Sequence, residues 1–193
     1  MTTEGKICCV IGDLQLYSFH TASSFQKLAK ERLYRLFSGL IKWGNVSHFV
    51  IAMLSDTELL SMGLILDLKK QYPYITLEAI IPYLSLPADC SPKYQAFYYY
   101  LQNHCDKTTI IHRLHTPSSI DIQYEYMVNC ADLILAIWDG SKGDIGNAVE
   151  YARFIDTDLL IFDPAGSTIS SYLSFSCRGC EDKSRVKCYN ECK

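Results

Sequence analysis

Apolar residues along the chain fall into two kinds of segment, short β-branched runs and longer amphipathic stretches. The short runs predict strands, and the longer ones, in which apolar residues recur every three or four positions, predict helices. Strands are predicted at 6–11, 47–53, 75–82, 108–112, 132–138 and 158–162. Helices are predicted at 23–43, 57–71, 91–105, 119–130 and 145–155.

This alternation of strands and helices predicts an α/β fold. Strands that are separated by single helices form βαβ units, which build a mostly parallel sheet. We therefore predict a doubly wound, Rossmann-like sheet with helices on both faces. One domain is predicted over residues 1–165, and residues 166–193 are predicted to form a cysteine-rich C-terminal tail, because the chain becomes polar and rich in cysteine after Pro164.

Composition narrows the classes of partner. The chain has 193 residues, of which 49% are hydrophobic and 20% charged, which are ordinary values for one globular domain. The formal net charge of −3 argues against nucleic acid as a partner. No apolar run approaches the roughly 20 residues of a membrane span, and no secretory signal is visible. A cytoplasmic location is expected, and the sequence is compatible with a homo-oligomer.

The predicted sheet selects a small set of candidate positions. In open parallel sheets, ligands bind beyond the carboxyl ends of the strands, where helices begin. Gly12 and Asp13 follow the first predicted strand, and Glu58 follows the second. His112–His115 follow the fourth strand, and residues 138–147 follow the fifth.

The stretch "WDGSKGDIGNAVEYA", residues 138–152, is the richest of these segments. Its glycines allow a ligand to approach the backbone because they carry no Cβ atom. Its carboxylates and its amide can take ribose hydroxyls, and its tryptophan can stack on a base. The candidate ligand-binding residues of this stretch are Trp138, Asp139, Gly140, Gly143, Asp144, Gly146 and Asn147.

Helical spacing adds a carboxylate to this group. Four residues are expected on one side of the predicted helix: Gly143, Gly146, Asn147 and Glu150. Together with Asp144 they suit a hydroxyl-rich ligand better than an anion, which the two carboxylates would repel. Two plainer interpretations stay open, namely that Asp144 only caps the helix and that Glu150 is only a solvated surface residue.

The chain also resembles a known protein family. Two blocks, "LDLKKQYPYITLEAIIPY" (66–83) and "YMVNCADLILAIWDGSKGDIGNAVEYA" (126–152), together with "IG" at 11–12, are similar to the YpsA-type branch of the SLOG superfamily. The resemblance extends over about residues 6–164. It implies a Rossmann-like fold, related to the LOG and DprA groups, that binds a nucleotide or a nucleotide-derived, ADP-ribose-like ligand.

The chain also departs from the pattern that this resemblance implies. The glycine-rich turn expected after the second strand is replaced by residues 51–58, in which only the final acid, Glu58, is kept. An expected Arg-Asn pair is Gln123-Tyr124, and an expected Gly-Gly-Thr turn is Gly143-Asp144-Ile145. These changes indicate either an altered ligand or a lost one.

A shorter resemblance favours an enzyme. "DIGNAVEYA" (144–152) is similar to the Asp-x-Gly-x-x-x-Glu-x-x-Ala stretch of nucleoside 2-deoxyribosyltransferases and to a motif of LOG phosphoribohydrolases. Both families act on an N-glycosidic bond. The resemblance implies that Glu150 is the nucleophile or stabilises an oxocarbenium ion, and that Asp144 binds or protonates the nucleoside.

The tail contains a separate motif, "CRGCEDKSRVKCYNEC". Its four thiols, Cys177, Cys180, Cys188 and Cys192, have the spacing C-x2-C-x7-C-x3-C, which is sufficient for a tetrahedral structural zinc site. Zinc would organise a segment that is too polar to build a core of its own. Two alternatives stay open, an unstructured tail with reactive thiols and disulfides formed on oxidation.

Three functional hypotheses follow. The first is a module that binds a nucleotide-derived ligand. The second is a hydrolase or transferase that acts on the N-glycosidic bond of a nucleoside or nucleotide. The third is a domain that has lost its ligand and acts as a regulatory or partner-binding protein.

Overall fold

The computed structural model describes residues 5–13, 24–89, 91–163 and 168–172. The strands are β1 (Lys6–Gly12), β2 (Val46–Ala52), β3 (Thr76–Tyr83), β4 (Lys107–His112), β5 (Leu133–Ile137), β6 (Asp158–Asp163) and β7 (Thr168–Tyr172). The helices are α1 (Ser24–Lys42), α2 (Asp56–Lys69), α3 (Pro92–His104), α4 (Ser119–Cys130) and α5 (Asp144–Phe154), with a short 3₁₀ helix at Leu86–Asp89.

The strands form one seven-stranded sheet in the order β4-β3-β2-β1-β5-β6-β7. Neighbouring strands from β1 to β6 are parallel, and β7 pairs antiparallel with β6. The predicted α/β class with a mostly parallel, doubly wound sheet is therefore confirmed. Among the described residues, no helix is long and apolar enough to cross a membrane.

Helices cover both faces of the sheet. One buried cluster packs side chains of α1, α2 and α3 against the sheet, and a second packs α4 and α5 against the opposite face. Cys8 belongs to the first cluster and Cys9 to the second, because successive side chains of a strand point to opposite faces. The two central strands, β1 and β5, are thus enclosed between two helical layers, and every residue of β5 is buried.

The order in which strands are added to the sheet reverses at β1. Strands β2, β3 and β4 are added one after another on one side of β1, and the chain then crosses back to place β5 on the other side. In such sheets, the carboxyl ends of the two strands that flank the reversal open a crevice that binds ligands. A ligand site is therefore expected at the carboxyl ends of β1 and β5.

The seventh strand differs from the sequence-based expectation. Strand β7 has the sequence "TISSY" and pairs with β6 from Leu159↔Tyr172 to Asp163↔Thr168. Its serines and exposed Ile169 give no alternation that would predict a strand, because the outer edge of the sheet faces solvent. Strand β7 therefore extends the sheet beyond residue 165.

Gly12 provides a test of how closely β1, β5 and α2 pack. A Cβ atom at Gly12 would lie 2.9 Å from Ile137 Cβ and 3.1 Å from Thr57 Cγ2, so Gly12→Ala must displace packed atoms. We expect it to lower the free energy of unfolding by about 1–3 kcal/mol. Gly63→Ala is the matched control, because no atom lies within 4 Å of a Cβ at that helical position. Alanine there is expected to raise the free energy of unfolding by about 0.5–1 kcal/mol.

Urea denaturation of both variants measures these changes. Equal stabilities for Gly12→Ala and the wild-type protein would contradict the close packing at the end of β1.

Candidate functional site

The candidate site lies where β1 and β5 end side by side. Gly12 is paired with Ile137 at the last position of the two strands. Asp13 follows Gly12 and is exposed, and α2 begins at Asp56 close to the end of β1. The loop of residues 138–143 leads from β5 into α5. Two helix N-termini and two strand ends therefore surround one crevice.

The loop between β5 and α5 is held by its own hydrogen bonds. Trp138 Nε1 donates to the carbonyl oxygen of Ser141 at 2.8 Å, and Asp139 Oδ1 accepts from the backbone N–H of Ser141 at 2.9 Å. These bonds from Ser141 lower the pKa of Asp139. Gly140 and Gly143 have φ values of 91° and 145°, a region that favours glycine. The sequence therefore places glycine where this loop requires it.

These two glycines also leave the backbone accessible. No atom lies within 4 Å of the position that a Cβ would occupy at Gly140 or at Gly143. Gly143 is the N-cap of α5, and no side chain caps that helix end. A ligand can therefore approach the backbone of the loop, as the sequence analysis expected for Gly143.

Gly146 has a different role from the one expected. It is buried, and a Cβ there would lie 3.0 Å from the Ser141 carbonyl oxygen and 3.5 Å from Trp138 Cζ2. The sequence analysis expected Gly146 to share one side of the helix with Asn147 and Glu150, but those two residues are exposed whereas Gly146 is covered. Gly146 faces the loop because the partly buried indole of Trp138 packs over the first turn of α5. Base stacking by Trp138 stays a prediction.

A cavity of about 220 Å³ lies between the first turns of α4 and α5. Its lining residues are Asp121, Tyr124, Glu125, Asp144, Asn147, Ala148 and Tyr151. Two of the predicted residues, Asp144 and Asn147, thus meet in one cavity. Glu150 is exposed and does not line it.

The sequence did not lead us to predict that α4 lines this cavity. Asp121, Tyr124 and Glu125 carry no recognisable ligand motif, but one signal was available. Helix α4 follows β4 and therefore begins at the same edge of the sheet as α5. Residues in its first turns were candidates for that geometric reason.

Glu58 lies beneath the site as a fully buried carboxylate. Its Oε2 accepts from the backbone N–H groups of Leu54 and Ser55, each at 3.1 Å. Its Oε1 accepts from the N–H of Gly12 at 3.3 Å and from the hydroxyl of Tyr124 at 3.2 Å. One side chain therefore joins the end of β1, the start of α2 and helix α4.

Ser55 completes this arrangement as a capping box. Its hydroxyl accepts from the backbone N–H of Glu58 at 3.2 Å and donates to the carbonyl oxygen of Gly12. A glycine-rich turn in this place would offer free N–H groups to a phosphate. Here the carboxyl group of Glu58 already accepts from the N–H groups of Gly12, Leu54 and Ser55, so these groups are not free to bind a phosphate.

Burial raises the pKa values of three ionisable groups in and beside this network. Removal from water raises the pKa of Glu58 to about 7, although the hydrogen bonds from Ser55, Leu54, Gly12 and Tyr124 act in the opposite direction. The pKa of Tyr124 is well above its ordinary value, first because of burial and then because of the neighbouring Glu58. Burial and the nearby Asp13 also raise the pKa of Asp56.

The predicted zinc ligands, Cys177, Cys180, Cys188 and Cys192, lie outside the described residues. Within the described part of the chain, no group of three or more His, Cys, Asp or Glu side chains could hold a metal ion. Zinc in the tail stays a prediction.

A larger cavity of about 550 Å³ lies away from this edge, along α2 and α3. Two of its lysines are engaged in ion pairs, Lys69 with Asp106 and Lys70 with Asp67. We place the candidate site at the smaller cavity, because the first turns of α4 and α5 meet there and Glu58 links its Tyr124 to the end of β1.

Comparison with known proteins identifies the family. The model of the YpsA SLOG family matches residues 13–153. The chain belongs to the YpsA SLOG family. No curated protein matches the chain by sequence. The match includes all the residues of α4 and α5 that line the candidate cavity.

A solved structure supports the same fold. DNA processing protein A from Helicobacter pylori, described with a single-stranded DNA binding mode, superposes with a TM-score of 0.56 at 12% sequence identity. The alignment covers 82% of this chain and 65% of that one. The chain therefore spans less than two thirds of that protein, and the likeness concerns the fold.

One expectation about partners is wrong. Nucleic acid was set aside because of the net charge of −3, yet a protein of this fold is described as binding single-stranded DNA. Net charge averages over the whole surface, whereas a bound strand contacts only one groove. The charge of this YpsA-family protein therefore does not exclude nucleic acid.

The buried carboxylate makes the stability of this protein depend on pH. The pKa of Glu58 is about 7 in the folded chain, against 4.5 for an ordinary glutamate, so folding favours the protonated form. Its contribution to stability is complete below the unfolded pKa and is lost as the pH rises through about 7. Between these limits, we expect the wild-type protein to lose on the order of 3 kcal/mol relative to Glu58→Gln.

Urea denaturation of both proteins between about pH 4 and pH 8 measures this difference. Glutamine cannot ionise, and the two proteins share all other titratable groups. The difference between their stabilities therefore reports the titration of Glu58. Parallel curves for the two proteins over this range would contradict the raised pKa of Glu58.

Proposed function

We propose that this YpsA-family protein binds a nucleotide-derived ligand whose sugar lies in the cavity between α4 and α5. The observation that carries the proposal is the convergence of Tyr124, Asp144 and Asn147 on one cavity beside the β1–β5 crevice. Sites of this kind combine a concave surface with a few polar groups that fix the orientation of the ligand. Membership of the SLOG superfamily supports the same ligand class.

Volume and charge both favour a sugar in this cavity. Its volume of about 220 Å³ is below the roughly 300 Å³ at which pockets for whole drug-sized ligands begin, so it suits one part of a larger molecule. Asp121, Glu125 and Asp144 line it and would repel a phosphate. The same carboxylates accept hydrogen bonds from ribose hydroxyls.

The remainder of the ligand is proposed to lie along the open edge of the sheet. Gly140 and Gly143 allow it to pass close to the backbone. The N-terminus of α2 is not proposed as a phosphate site, because Glu58 already occupies its N–H groups.

Basic groups stand at the other end of this edge. His112 ends β4, Arg113 follows it, and the His115 ring packs against Tyr83 with 4.7 Å between ring centroids. Strand β4 is three strands from β1, or roughly 14 Å at the usual strand spacing. We propose that any phosphate of the ligand points towards this loop, which makes an elongated ADP-ribose-like molecule the preferred class.

Single-stranded DNA is a second candidate. The likeness to DNA processing protein A favours it, because that protein is described as binding single-stranded DNA. The open edge beside Gly140 and Gly143 would let a strand continue past the cavity. Deoxyribose lacks the 2′-hydroxyl, so a cavity that reads ribose hydroxyls should prefer ribonucleotide ligands.

The hypothesis of an enzyme has less support than that of a binding module. It requires Glu150 at the reacting bond, whereas Glu150 is an exposed residue outside the cavity that Asp144 lines. It predicts loss of nucleoside or nucleotide turnover in Glu150→Ala. Turnover that is unchanged in this variant would reject the role of Glu150.

Binding is tested with two variants of the same helix. We expect Asp144→Ala to weaken the affinity for ADP-ribose at least about tenfold, because a hydrogen bond to a charged group contributes roughly 1.5–3 kcal/mol. Glu150→Ala removes an equal charge outside the cavity, and its affinity is expected to stay within about twofold of the wild-type value. Isothermal titration calorimetry with adenosine and ADP-ribose gives these affinities.

Equal affinities in the two variants would contradict the cavity as the sugar site. Oligo(dT) is titrated in parallel by fluorescence anisotropy at low and moderate salt, because contacts with phosphates weaken as salt rises. If ADP-ribose displaces the oligonucleotide, both ligands bind at this edge of the sheet. An oligonucleotide that ADP-ribose does not displace binds at another surface.

A further inference from the structure

Two cysteines that are distant in sequence meet on the α4 side of the sheet. Cys9 lies in β1 and Cys130 is the last residue of α4, and their sulfur atoms are 3.8 Å apart. Both sulfur atoms also lie near the same carbonyl oxygen, that of Met127, at 3.1 Å from Cys9 and 3.2 Å from Cys130. A disulfide requires these sulfur atoms to approach to about 2.05 Å.

The two thiols differ in access to solvent. Cys9 is fully buried, whereas Cys130 is partly exposed. The hydrogen bond from Cys9 lowers the pKa of Cys130, and the charge of Lys107 acts in the same direction, against burial and Glu78. Burial holds the pKa of Cys9 well above its ordinary value. Cys130 is therefore the thiol that ionises and that a small oxidant can reach.

We propose that Cys9 and Cys130 form a thiol oxidation site that closes to a disulfide when a peroxide reacts with Cys130. The Cys130 thiolate attacks one peroxide oxygen, the O–O bond breaks, and Cys130 becomes a sulfenic acid while the other oxygen leaves as hydroxide and takes up a proton as water. The Cys9 sulfur then attacks the Cys130 sulfur, the S–O bond breaks, and water leaves with the Cys9 proton. Two thiols are oxidised by two electrons, and one hydrogen peroxide is reduced to two waters.

The position of this site connects it to the rest of the molecule. Cys9 lies three residues before Gly12 in β1, and Cys130 lies in the same helix as Tyr124. Glu58 joins Gly12 and Tyr124 at the carboxyl edge. A Cys9–Cys130 disulfide would therefore tie β1 to α4 at a second point, nearer to the amino end of the sheet.

The test is oxidation of the full, reduced chain with hydrogen peroxide, followed by alkylation of free thiols, proteolysis and tandem mass spectrometry. We expect a cross-linked peptide pair that joins Cys9 to Cys130, with the loss of two hydrogen atoms and without alkyl groups on these two residues. Cys130→Ser is expected to abolish the pair. It replaces a partly exposed side chain, and circular dichroism checks that the fold is kept.

Cys8→Ser is the matched control. Cys8 is adjacent to Cys9 and equally buried, but it faces the opposite side of the sheet, and burial raises its pKa to about 12. The Cys9–Cys130 pair is expected to form in Cys8→Ser as it does in the wild-type protein. Dimedone labelling of Cys9→Ala is expected to trap a sulfenic acid on Cys130, because the second thiol is absent.

Two results would overturn the proposal. One is recovery of Cys9 and Cys130 as separately alkylated residues at peroxide concentrations that oxidise other cysteines of the chain. The other is a cross-linked pair that contains Cys8 in place of Cys9.

Discussion

The candidate site depends on one buried carboxylate. Glu58 has no exposed surface, and its two oxygens accept four hydrogen bonds from β1, from the start of α2 and from α4. These bonds offset part of the cost of burying the carboxylate, and burial still raises its pKa to about 7. Removal of the carboxylate would leave three backbone N–H groups without their acceptor at the point where the strands open. The relative positions of β1, α2 and α4 therefore follow from this side chain.

This arrangement also accounts for the absence of the glycine-rich turn that the family resemblance implied at the start of α2. A glycine-rich turn at the start of α2 would present free N–H groups to a phosphate. In this protein, Glu58 takes those groups, and Ser55 closes a capping box around them. The ligand-facing polar groups then come from α4 and α5, which are rich in carboxylates. The proposed recognition of ligand hydroxyls rests on that exchange.

Much of the fold could be predicted from the sequence. The central strands read as continuous apolar runs because helices cover both faces of the sheet, and such runs are recognised without knowledge of their neighbours. Strand β7 could not be recognised, because an exposed edge strand carries no apolar pattern and is defined only by its pairing with β6. Gly140 and Gly143 could be selected because a residue without a Cβ atom leaves the backbone accessible, and glycine also tolerates the positive φ values that the loop adopts.

The sequence by itself determined the order of strands and helices, the edge of the sheet at which a site would form, and the glycines that this edge requires. These properties follow from local periodicity and from backbone conformation. Only the tertiary structure decided that Glu58 is a buried acceptor, that Gly146 faces Trp138, and that Cys9 meets Cys130. Each of these three contacts depends on how an α-helix packs against the sheet or against a loop. The contact from Glu58 to Tyr124 spans 66 residues and that from Cys9 to Cys130 spans 121, distances over which sequence spacing carries no geometric information.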